Sequence, residues 1–472
     1  MSLNLSHHRY QFPVGQGGFH LGALWCTRRP PVFHQAALTY VYDCGSLHAE
    51  PRDREVRRAE RWTKDRAIDL LFLSHLHRDH VNGLPRLLQG WRGKAQTIVL
   101  PYLDEVERVL VFAQSLATRG IPADREEADF FVDLIDHPAT ALSQRFGPDR
   151  IIFVRGGSGE PELPDAGPDP DRPPEEPIAL KLDLPESDGM DVFLDGDVGH
   201  TVGGTEMRLV RDRQPFRVFA GRKLLWLLLT HVDGDREAKF DFLNASVEAF
   251  GPNETVEGMK ARFRDHDERR RILTDRSLRA KLRKAYEIMI RRRSGRADLN
   301  LSTMSLYSGP VPGQEFDSYS RLNWGSFAGI QRYGARTRQQ RRTVGWLGTG
   351  DADLRDDRRR AMFLDYFAHV LPEVRTLTIP HHGAAPNFHP ELVERVQPRV
   401  AAIMADRYKN WQHPAAEVVQ SLVSSGALPA LVTGSEGSSI SERFNIGFPN
   451  GARDDWWVLP DIYFDFVELE LA

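Results

Sequence analysis

The stretch Ser74-His75-Leu76-His77-Arg78-Asp79-His80 follows an apolar run at residues 67–74 that predicts a buried strand. Because alternate residues of an extended chain project to the same side, His75 and His77 can bind one metal ion. Asp79 and His80 begin a turn into the next helix and point elsewhere, so they can bind a second ion nearby. Three histidines and an aspartate at this spacing therefore predict a dinuclear metal site.

Imidazoles combined with a hard carboxylate suit zinc, manganese or iron. We expect two divalent ions as cofactors, with Zn²⁺ favoured and Mn²⁺ second. Such a pair lowers the pKa of a bridging water, supplies hydroxide at neutral pH and polarises the substrate. The alternative is a histidine-rich loop that makes only local hydrogen bonds, and the position directly after a buried strand favours the metal site over it.

The composition excludes several classes of protein. A chain of 472 residues is long enough for two domains or for one large α/β domain with insertions. Its formal net charge of −4 carries no whole-chain signature of nucleic-acid binding, so any contact with a polyanion must be local. Cys26 and Cys44 are the only cysteines, too few for a disulfide framework or a four-thiolate zinc site.

Membrane signals are also missing from the sequence. Residues 1–15 lack the apolar core of a signal peptide, and no run of about eighteen apolar residues occurs. We expect a cytoplasmic protein with no membrane partner.

The first and last thirds of the chain show the alternation of an α/β fold. Strand-like runs at 37–42, 67–74 and 95–100 alternate with helix-like stretches at 53–66, 84–88 and 105–119. The pattern returns at 343–348, 374–379 and 400–404, where a helix-like stretch follows each strand-like run. Residues 156–177 are rich in Gly, Pro, Asp and Glu and predict a loop, whereas residues 223–230 predict a strand.

The middle of the chain predicts a basic helical insertion at residues 236–297, between fold halves at 1–235 and 298–472. Leu278, Leu282, Ala285 and Met289 recur at spacings of three and four and form one apolar stripe. Residues 257–296 contain 15 Lys and Arg against 6 Asp and Glu, which indicates either a solvated helical face or a surface for a nucleic-acid backbone. A second basic cluster, in a loop-like stretch, contains Arg332, Arg336, Arg338, Arg341 and Arg342.

The pattern His75-x-His77-x-Asp79-His80 resembles the signature of the metallo-β-lactamase superfamily. The resemblance implies a four-layer αββα sandwich with its metal ions at one end of the two sheets. It also implies that Asp43 supports the site from behind and that Asp351 bridges the two ions. His381-His382-Gly383 resembles the final histidine motif, of which one member binds the second ion; we favour His382 over His381.

Several motifs are most similar to the soluble hydrolase domain of ComEC-type DNA-uptake proteins and their free-standing relatives. These motifs are Gly350-Asp351, His381-His382-Gly383, Asn300-Leu301-Ser302 and Asn410-x-x-His413-Pro414. In that subgroup the third histidine of the first metal site is missing, and an Asn-x-Ser stretch takes its place. His231, after the strand at 223–230, is either an alternative third ligand or a histidine that caps a buried strand. The resemblance covers residues 37–100 and 299–422. We expect no counterpart of the membrane channel of the DNA-uptake proteins. The Gly-Gly pair that often follows their histidine motif is replaced here by Asn82-Gly83.

These patterns predict hydrolysis of phosphodiester bonds in nucleic acid or nucleotides by a metal-activated water. The expected catalytic residues are Asp79, Asp351 and His413, and the expected substrate-binding residues are Asn300, Ser302, Asn410, Arg291, Arg292 and Arg293. His413 could protonate a leaving oxygen, or His413-Pro414 could simply begin a helix. Two alternatives are a hydrolase of small esters, lactones or thioesters and a regulatory component of a multi-protein defence or DNA-processing system built on a hydrolase scaffold.

Overall fold

The computed structural model describes residues 3–27, 37–62, 67–90, 95–118, 120–122, 124–157, 159–164, 180–187, 193–194, 197–198, 201–234, 236–293, 302–324, 327–331, 343–407 and 412–448. The strands are β1 (Leu3–Gln11), β2 (Gly17–Thr27), β3 (Ala37–Ser46), β4 (Leu70–Phe72), β5 (Thr97–Pro101), β6 (Arg150–Arg155), β7 (Leu180–Asp183), β8 (Phe193–Leu194), β9 (Asp197–Val198), β10 (Thr201–Val202), β11 (Thr205–Arg211), β12 (Phe216–Ala220), β13 (Lys223–Gly234), β14 (Ser302–Pro310), β15 (Asp317–Trp324), β16 (Phe327–Gln331), β17 (Gly345–Gly348), β18 (Val374–Thr378), β19 (Val400–Met404), β20 (Leu428–Val432) and β21 (Ile440–Phe448).

The helices are α1 (Ala49–Trp62), α2 (Arg78–Val81), α3 (Leu84–Gly90), α4 (Glu105–Thr118), α5 (Arg125–Asp136), α6 (Pro138–Phe146), α7 (Arg236–Phe250), α8 (Val256–Arg264), α9 (His266–Thr274), α10 (Arg276–Arg292), α11 (Asp357–Phe367), α12 (Glu391–Val396) and α13 (Ala416–Ser424). Short 3-10 turns lie at Leu371–Glu373, Pro380–Gly383, Ala385–Asn387 and Glu436–Ser438. Within the described ranges, no helix is long and apolar enough to cross a membrane.

The strands form two mixed sheets and one small hairpin. The larger sheet has the order β10-β11-β6-β5-β4-β3-β2-β1-β21-β15-β16, and the smaller has the order β20-β19-β18-β17-β14-β13-β12-β7. Neighbours from β3 through β4, β5 and β6 to β11 are parallel, as are neighbours from β17 to β20. The protein is therefore a mixed α/β protein.

The two sheets pack face to face, and helices cover their outer faces. Because side chains alternate along a strand, Trp226 and Leu228 of β13 face the larger sheet, while Leu227 and Leu229 pack against α11, α12 and α13. The other face of the larger sheet packs against α1 and α3–α10. The apolar side chains thus form three layers, one between the sheets and one under each set of helices.

A buried ion-pair network joins the two sheets. Arg9 of β1 donates from Nη2 to Glu442 Oε2 of β21 at 2.7 Å, and Arg375 of β18 donates to Glu442 Oε1 at 3.3 Å. Thr376 Oγ1 donates to the same carboxylate at 2.7 Å, and Arg9 Nη1 donates to the carbonyl oxygen of Val344 at 2.8 Å. Because Arg9 and Glu442 are almost fully buried, each charge depends on these partners.

The predicted basic insertion is helical and forms part of the helical layer on the larger sheet. Helix α10 packs on α4 and α7, and α9 packs on α5, so α7–α10 share one apolar core with the preceding helices. Leu282, Ala285 and Met289 of the predicted stripe are buried. Arg269 is fully buried and donates from Nε to Asp136 Oδ1 at 2.7 Å, so part of the basic charge is structural. The division of the chain at 236–297 stays a prediction.

The carboxyl ends of parallel strands from both sheets meet at one edge. The histidine motif follows β4, Asp351 follows β17, and His381-His382 follows β18. The Met304 N–H, near the start of β14, donates to the carbonyl oxygen of Ser74 at 2.7 Å and so joins the two sheets at this edge. Ligands of open α/β sheets bind outside such strand ends, so the fold places the candidate residues where a site is expected.

Candidate metal centre

Asp43 holds the histidine motif from behind. Asp43 forms a β-bulge in β3, because its neighbours Tyr42 and Cys44 pair with the consecutive residues His20 and Phe19 of β2. Its φ of 58° lies in the left-handed region. Such a bulge redirects a side chain. Asp43 Oδ1 accepts a hydrogen bond from Ser74 N at 2.7 Å, while Oδ2 accepts one from Ser74 Oγ at 2.6 Å and lies 2.8 Å from His80 Nδ1. With Nδ1 as donor, His80 presents Nε2 to the centre.

Asp351 lies between two pairs of histidines. Its Oδ2 is 3.5 Å from His75 Nε2 and 3.9 Å from His381 Nε2. Its Oδ1 is 3.4 Å from His80 Nε2 and 3.8 Å from His382 Nε2. The structure therefore brings both members of the final histidine motif to Asp351, each nearer to a different carboxylate oxygen.

The second pair lies close to the aspartate of the histidine motif. His382 Nε2 is 3.6 Å from Asp79 Oδ2, and His382 Nδ1 donates to the carbonyl oxygen of Met404 at 2.8 Å. This backbone contact fixes the ring and leaves its Nε2 lone pair directed at the carboxylates. His77 precedes α2, is buried, and packs its ring edge-on against His75 with ring centroids 4.6 Å apart.

These spacings fit ligands that share a metal ion. A tetrahedral ion with bonds of about 2.1 Å separates its ligand atoms by about 3.4 Å, which is longer than a direct hydrogen bond. The Nε2 atoms of His75, His80 and His382 are buried and make no hydrogen bond to a described residue. Ligand atoms of His75, His80 and Asp351 lie within 4.8 Å of one another, as do those of Asp79, His80 and His382. The donor set therefore fits divalent ions.

Without a metal, the charged groups of the centre strongly shift one another's pKa values. Burial alone would raise the pKa of Asp351, but the surrounding histidines, His80 foremost, hold it well below its usual value. Burial lowers the pKa of His80, but Asp351 and Asp43 raise it well above its usual value. Burial and the charge of His80 lower the pKa of His75, against the effect of Asp351. A divalent cation would take over the role of the proton on His80.

The backbone of the centre is held in unusual conformations. Four described non-glycine residues have positive φ, and three of them are Asp43, His381 and His382. Such conformations cost about 1–3 kcal/mol each and cluster at functional sites. Gly45 packs directly on the motif, because a Cβ atom there would lie 2.6 Å from the carbonyl oxygen of Asp79. A side chain at Gly45 would push the motif out of place.

Two other predicted site residues, His413 and Ser302, belong to the described part of the chain near this centre. The ring of His413 is half-buried, and its centroid is 6.2 Å from that of His381. Ser302 is half-buried and begins β14, beside Thr303, whose Oγ1 would be 2.6 Å from a Cβ atom on Gly350. Asn300, Asn410 and the second basic cluster lie outside the described residues.

Arg291, Arg292 and Arg293 lie at the end of α10, where their described partners belong to the helical layer. Arg291 Nε donates to the carbonyl oxygen of Glu287 at 3.2 Å. Arg292 pairs with Glu248 at 2.6 Å, and Arg293 pairs with Asp241 at 2.9 Å, both carboxylates being on α7. The described contacts thus do not bring these arginines to the candidate ligands, and their role in substrate binding stays a prediction.

His231 packs against α11. Its ring centroid lies 4.5 Å from that of Tyr366, and its Nδ1 is 3.5 Å from Asp212 Oδ2. These contacts suit a structural histidine near the end of a buried strand. They give no support to His231 as a third ligand of the first ion.

Several supporting groups were missed in the sequence. The side chain of Thr378, at the end of β18, accepts from Thr349 N at 2.9 Å, and Thr349 Oγ1 donates to the carbonyl oxygen of Thr378 at 2.9 Å. This pairing fixes the turn that carries Asp351. Threonines at the carboxyl ends of neighbouring strands could have indicated it, whereas the Met404 carbonyl that orients His382 has no sequence signal.

Comparison with known proteins adds little to the site. No protein-family model and no curated protein matches this sequence. Among solved structures, a long-form RNase Z from yeast is similar over 79% of this chain and 32% of that chain, with 8% sequence identity and a TM-score of 0.27. The chain thus spans about a third of the length of that protein. A TM-score this low assigns neither a site nor an activity, so the function of this mixed α/β protein is argued from its own residues.

Proposed function

We propose that the chain is a metal-dependent hydrolase of the metallo-β-lactamase superfamily that cleaves phosphodiester bonds of nucleic acid or nucleotides. The observation that carries the proposal is the position of Asp351, whose two oxygens each face a pair of histidines at 3.4–3.9 Å. A single carboxylate with ligand partners on both oxygens is the arrangement that bridges two metal ions.

The candidate ligands divide into two sets around Asp351. The first set contains His75, His77 and His381 with Asp351 Oδ2, and the second contains Asp79, His80 and His382 with Asp351 Oδ1. In this division His381 takes the place of the third histidine that the related motifs lack. Two divalent ions, Zn²⁺ first and Mn²⁺ second, would activate a water molecule and polarise the substrate there.

The chain itself supplies orientation and a proton donor. Asp43 and the Met404 carbonyl hold the Nδ1 atoms of His80 and His382, so both rings keep their Nε2 atoms directed inward. His413 lies beside His381 and is half-buried, which leaves it able to reach a substrate at the rim. In this role His413 protonates the oxygen that leaves phosphorus.

Phosphate binding is assigned to the basic end of α10. The ion pairs of Arg292 with Glu248 and of Arg293 with Asp241 are at the surface, where a pair contributes about 0–1 kcal/mol. A phosphodiester backbone can therefore displace these carboxylates at little cost, and Arg291 adds a further exposed guanidinium. Asn300, Ser302 and Asn410 are proposed to contact the substrate at the rim.

Hydrolysis assays with metal-loaded protein test the proposal. The substrates are single- and double-stranded DNA, RNA and bis(p-nitrophenyl) phosphate, with added Zn²⁺ or Mn²⁺. The Asp79→Ala, His80→Ala double variant, purified in parallel, controls for contaminating nucleases. We expect cleavage by the wild type alone, and loss of this cleavage in His413→Ala without loss of metal.

The alternatives give different results in the same assays. Metal-loaded wild type that cleaves none of these substrates would overturn the phosphodiesterase assignment. Turnover of a panel of esters, lactones and thioesters would then establish a small-molecule hydrolase. Protein with neither bound metal nor turnover would favour a regulatory role on a hydrolase scaffold.

A further inference from the structure

A small cavity with room for about one water molecule lies between the two sheets behind the candidate metal centre. Three candidate ligands, His80, Asp351 and His382, line it. Side chains that belong to neither ligand set also line it, among them Gln11, His20 and Trp346. We call this space the rear chamber. Its lining thus includes both candidate ligands and the facing residues Gln11 and His20 of the paired strands β1 and β2.

The rear chamber contains polar groups that lack a partner within the described part of the chain. His20 is 3% exposed, and neither of its ring nitrogens makes a hydrogen bond there. Its ring stacks on Trp346 with centroids 4.0 Å apart and planes 9° apart, which fixes the ring edge in place. Gln11 is 4% exposed; its Nε2 donates to the carbonyl oxygen of Phe19 at 2.9 Å, but its Oε1 accepts no hydrogen bond.

Unsatisfied buried polar groups require an occupant. Each such group costs about 1–3 kcal/mol if it stays without a hydrogen bond. Burial and the charge of Arg9 hold the pKa of His20 well below its usual value, so the ring is neutral and offers one donor and one acceptor. One water molecule can pair with one of these ring nitrogens and donate to Gln11 Oε1. The chamber has room for about one water, and buried waters are found where otherwise unsatisfied polar groups such as these provide partners.

We propose that the rear chamber is a water site, held by His20 and Gln11, that supplies water to the metal centre from between the sheets. Each hydrolysis consumes one water molecule: its OH group bonds to phosphorus, the bond from phosphorus to the leaving oxygen breaks, and the second proton of the water replaces the one that His413 gives to the leaving oxygen. When a substrate covers the rim, the consumed water is replaced from the chamber. The supply role rests on the proposed function, whereas the hydration of the chamber does not.

Crystallography of the metal-loaded wild type at about 1.5 Å resolution tests the hydration. We expect a water peak within hydrogen-bond distance, about 3.2 Å or less, of a His20 ring nitrogen and of Gln11 Oε1. His20→Phe should keep the ring stacked on Trp346 and lose the peak. A chamber that is dry in the wild type, or a peak that remains unchanged in His20→Phe, would overturn the proposal.

Kinetics with matched variants tests the supply role. We expect His20→Phe to lower kcat about tenfold at unchanged KM and metal content, the kinetic equivalent of losing one hydrogen bond to the water. The control is His7→Phe, because His7 is another buried histidine between the sheets, packed on Trp226 at 4.6 Å, and does not line the chamber. Gln11→Met provides the same test if His20→Phe does not fold.

The two proposals can fail separately. A hydrated chamber in a protein without hydrolase activity would retain the water site and refute the proposed function. An active enzyme in which His20→Phe and Gln11→Met keep the wild-type kcat would refute the supply role and leave the proposed function standing.

Discussion

Asp43→Asn tests whether the carboxylate behind the motif sets the metal affinity of His80. Asparagine tolerates the left-handed backbone at this position and has nearly the same shape, so the fold should persist. An asparagine whose Oδ1 accepts from Ser74 N turns its NH₂ group toward His80 Nδ1, which lies 2.8 Å from Oδ2 in the wild type. Two donors then face each other, and His80 must move its proton to Nε2, where it blocks metal binding.

The structure sets the size of the effect. Loss of a hydrogen-bond partner behind a metal-bound histidine lowers metal affinity about 10–100-fold. This range corresponds to about 1.4–2.8 kcal/mol. It agrees with about 1.5–3 kcal/mol for a hydrogen bond to a charged group, which is what the pairing of Asp43 with His80 provides.

Competition with a chromophoric zinc chelator measures the affinity of the second ion. The matched control is Asp212→Asn, since Asp212 is a buried aspartate beside a histidine, His231, away from the centre. We expect a 10–100-fold loss in Asp43→Asn and little change in Asp212→Asn. Equal affinities in wild type and Asp43→Asn would refute the reasoning that this carboxylate fixes the tautomer of His80.

Three further predictions follow from buried charges and close packing. Glu442→Gln removes the carboxylate that pairs with two buried arginines and should lower the free energy of unfolding in urea by about 3–5 kcal/mol. Burial raises the pKa of Glu442, but those arginines outweigh it and lower the folded pKa below 4.5, so the wild type should lose this stability as the pH falls from 4.5 through the folded pKa. A stability difference between wild type and variant that does not change with pH would contradict this prediction. Gly45→Ala puts a Cβ atom 2.6 Å from the backbone of Asp79 and should cost about 1–3 kcal/mol in thermal unfolding and weaken metal binding, whereas Gly234→Ala, with open space around it, should match wild type. Burial lowers the pKa of His80, but two carboxylates raise it well above 6.5, so the metal-free protein should lose stability as the pH rises through that pKa. Calorimetry should show that metal binding releases protons and that the metal affinity rises with pH. Metal binding without proton release would contradict this prediction.

The strands that carry the site were predictable because their signals are local. The apolar run at 400–404 became β19 (Val400–Met404) without a shift, and the run at 374–379 became β18 (Val374–Thr378). The strand predicted at 223–230 continues to Gly234, because its polar end pairs with β14, where His231 lies opposite Ser305. Pairing with a distant strand, not local hydrophobicity, sets that end.

Strands β1 and β21 were not predicted: the buried face of β1 is largely polar, and Glu442 interrupts the apolar residues on the buried face of β21. Arg9 is 1% exposed and His7 is fully buried, yet in the sequence both have the character of surface residues. The carboxylate that balances the buried charge of Arg9 belongs to Glu442, more than 400 positions away on the paired strand. No window of sequence contains both partners.

The candidate metal site could be predicted best where its residues are close together in the sequence. The motif from His75 to His80 was evident from spacing alone, because one strand end and one turn carry all four candidate ligands. Asp351 and His381 could be assigned only through a family resemblance, since they come from two other strands. That His381 and His382 face different oxygens of Asp351 depends on left-handed backbones at both histidines, which the sequence does not indicate.

Metal stoichiometry of the wild type and of Asp351→Asn, measured by mass spectrometry after loading with Zn²⁺ and removal of excess metal, tests the central claim most directly. If Asp351 bridges two ions, the wild type carries two per chain and Asp351→Asn loses at least one of them. A wild type that binds no metal, or an Asp351→Asn variant that retains both ions with unchanged affinity, would contradict the account.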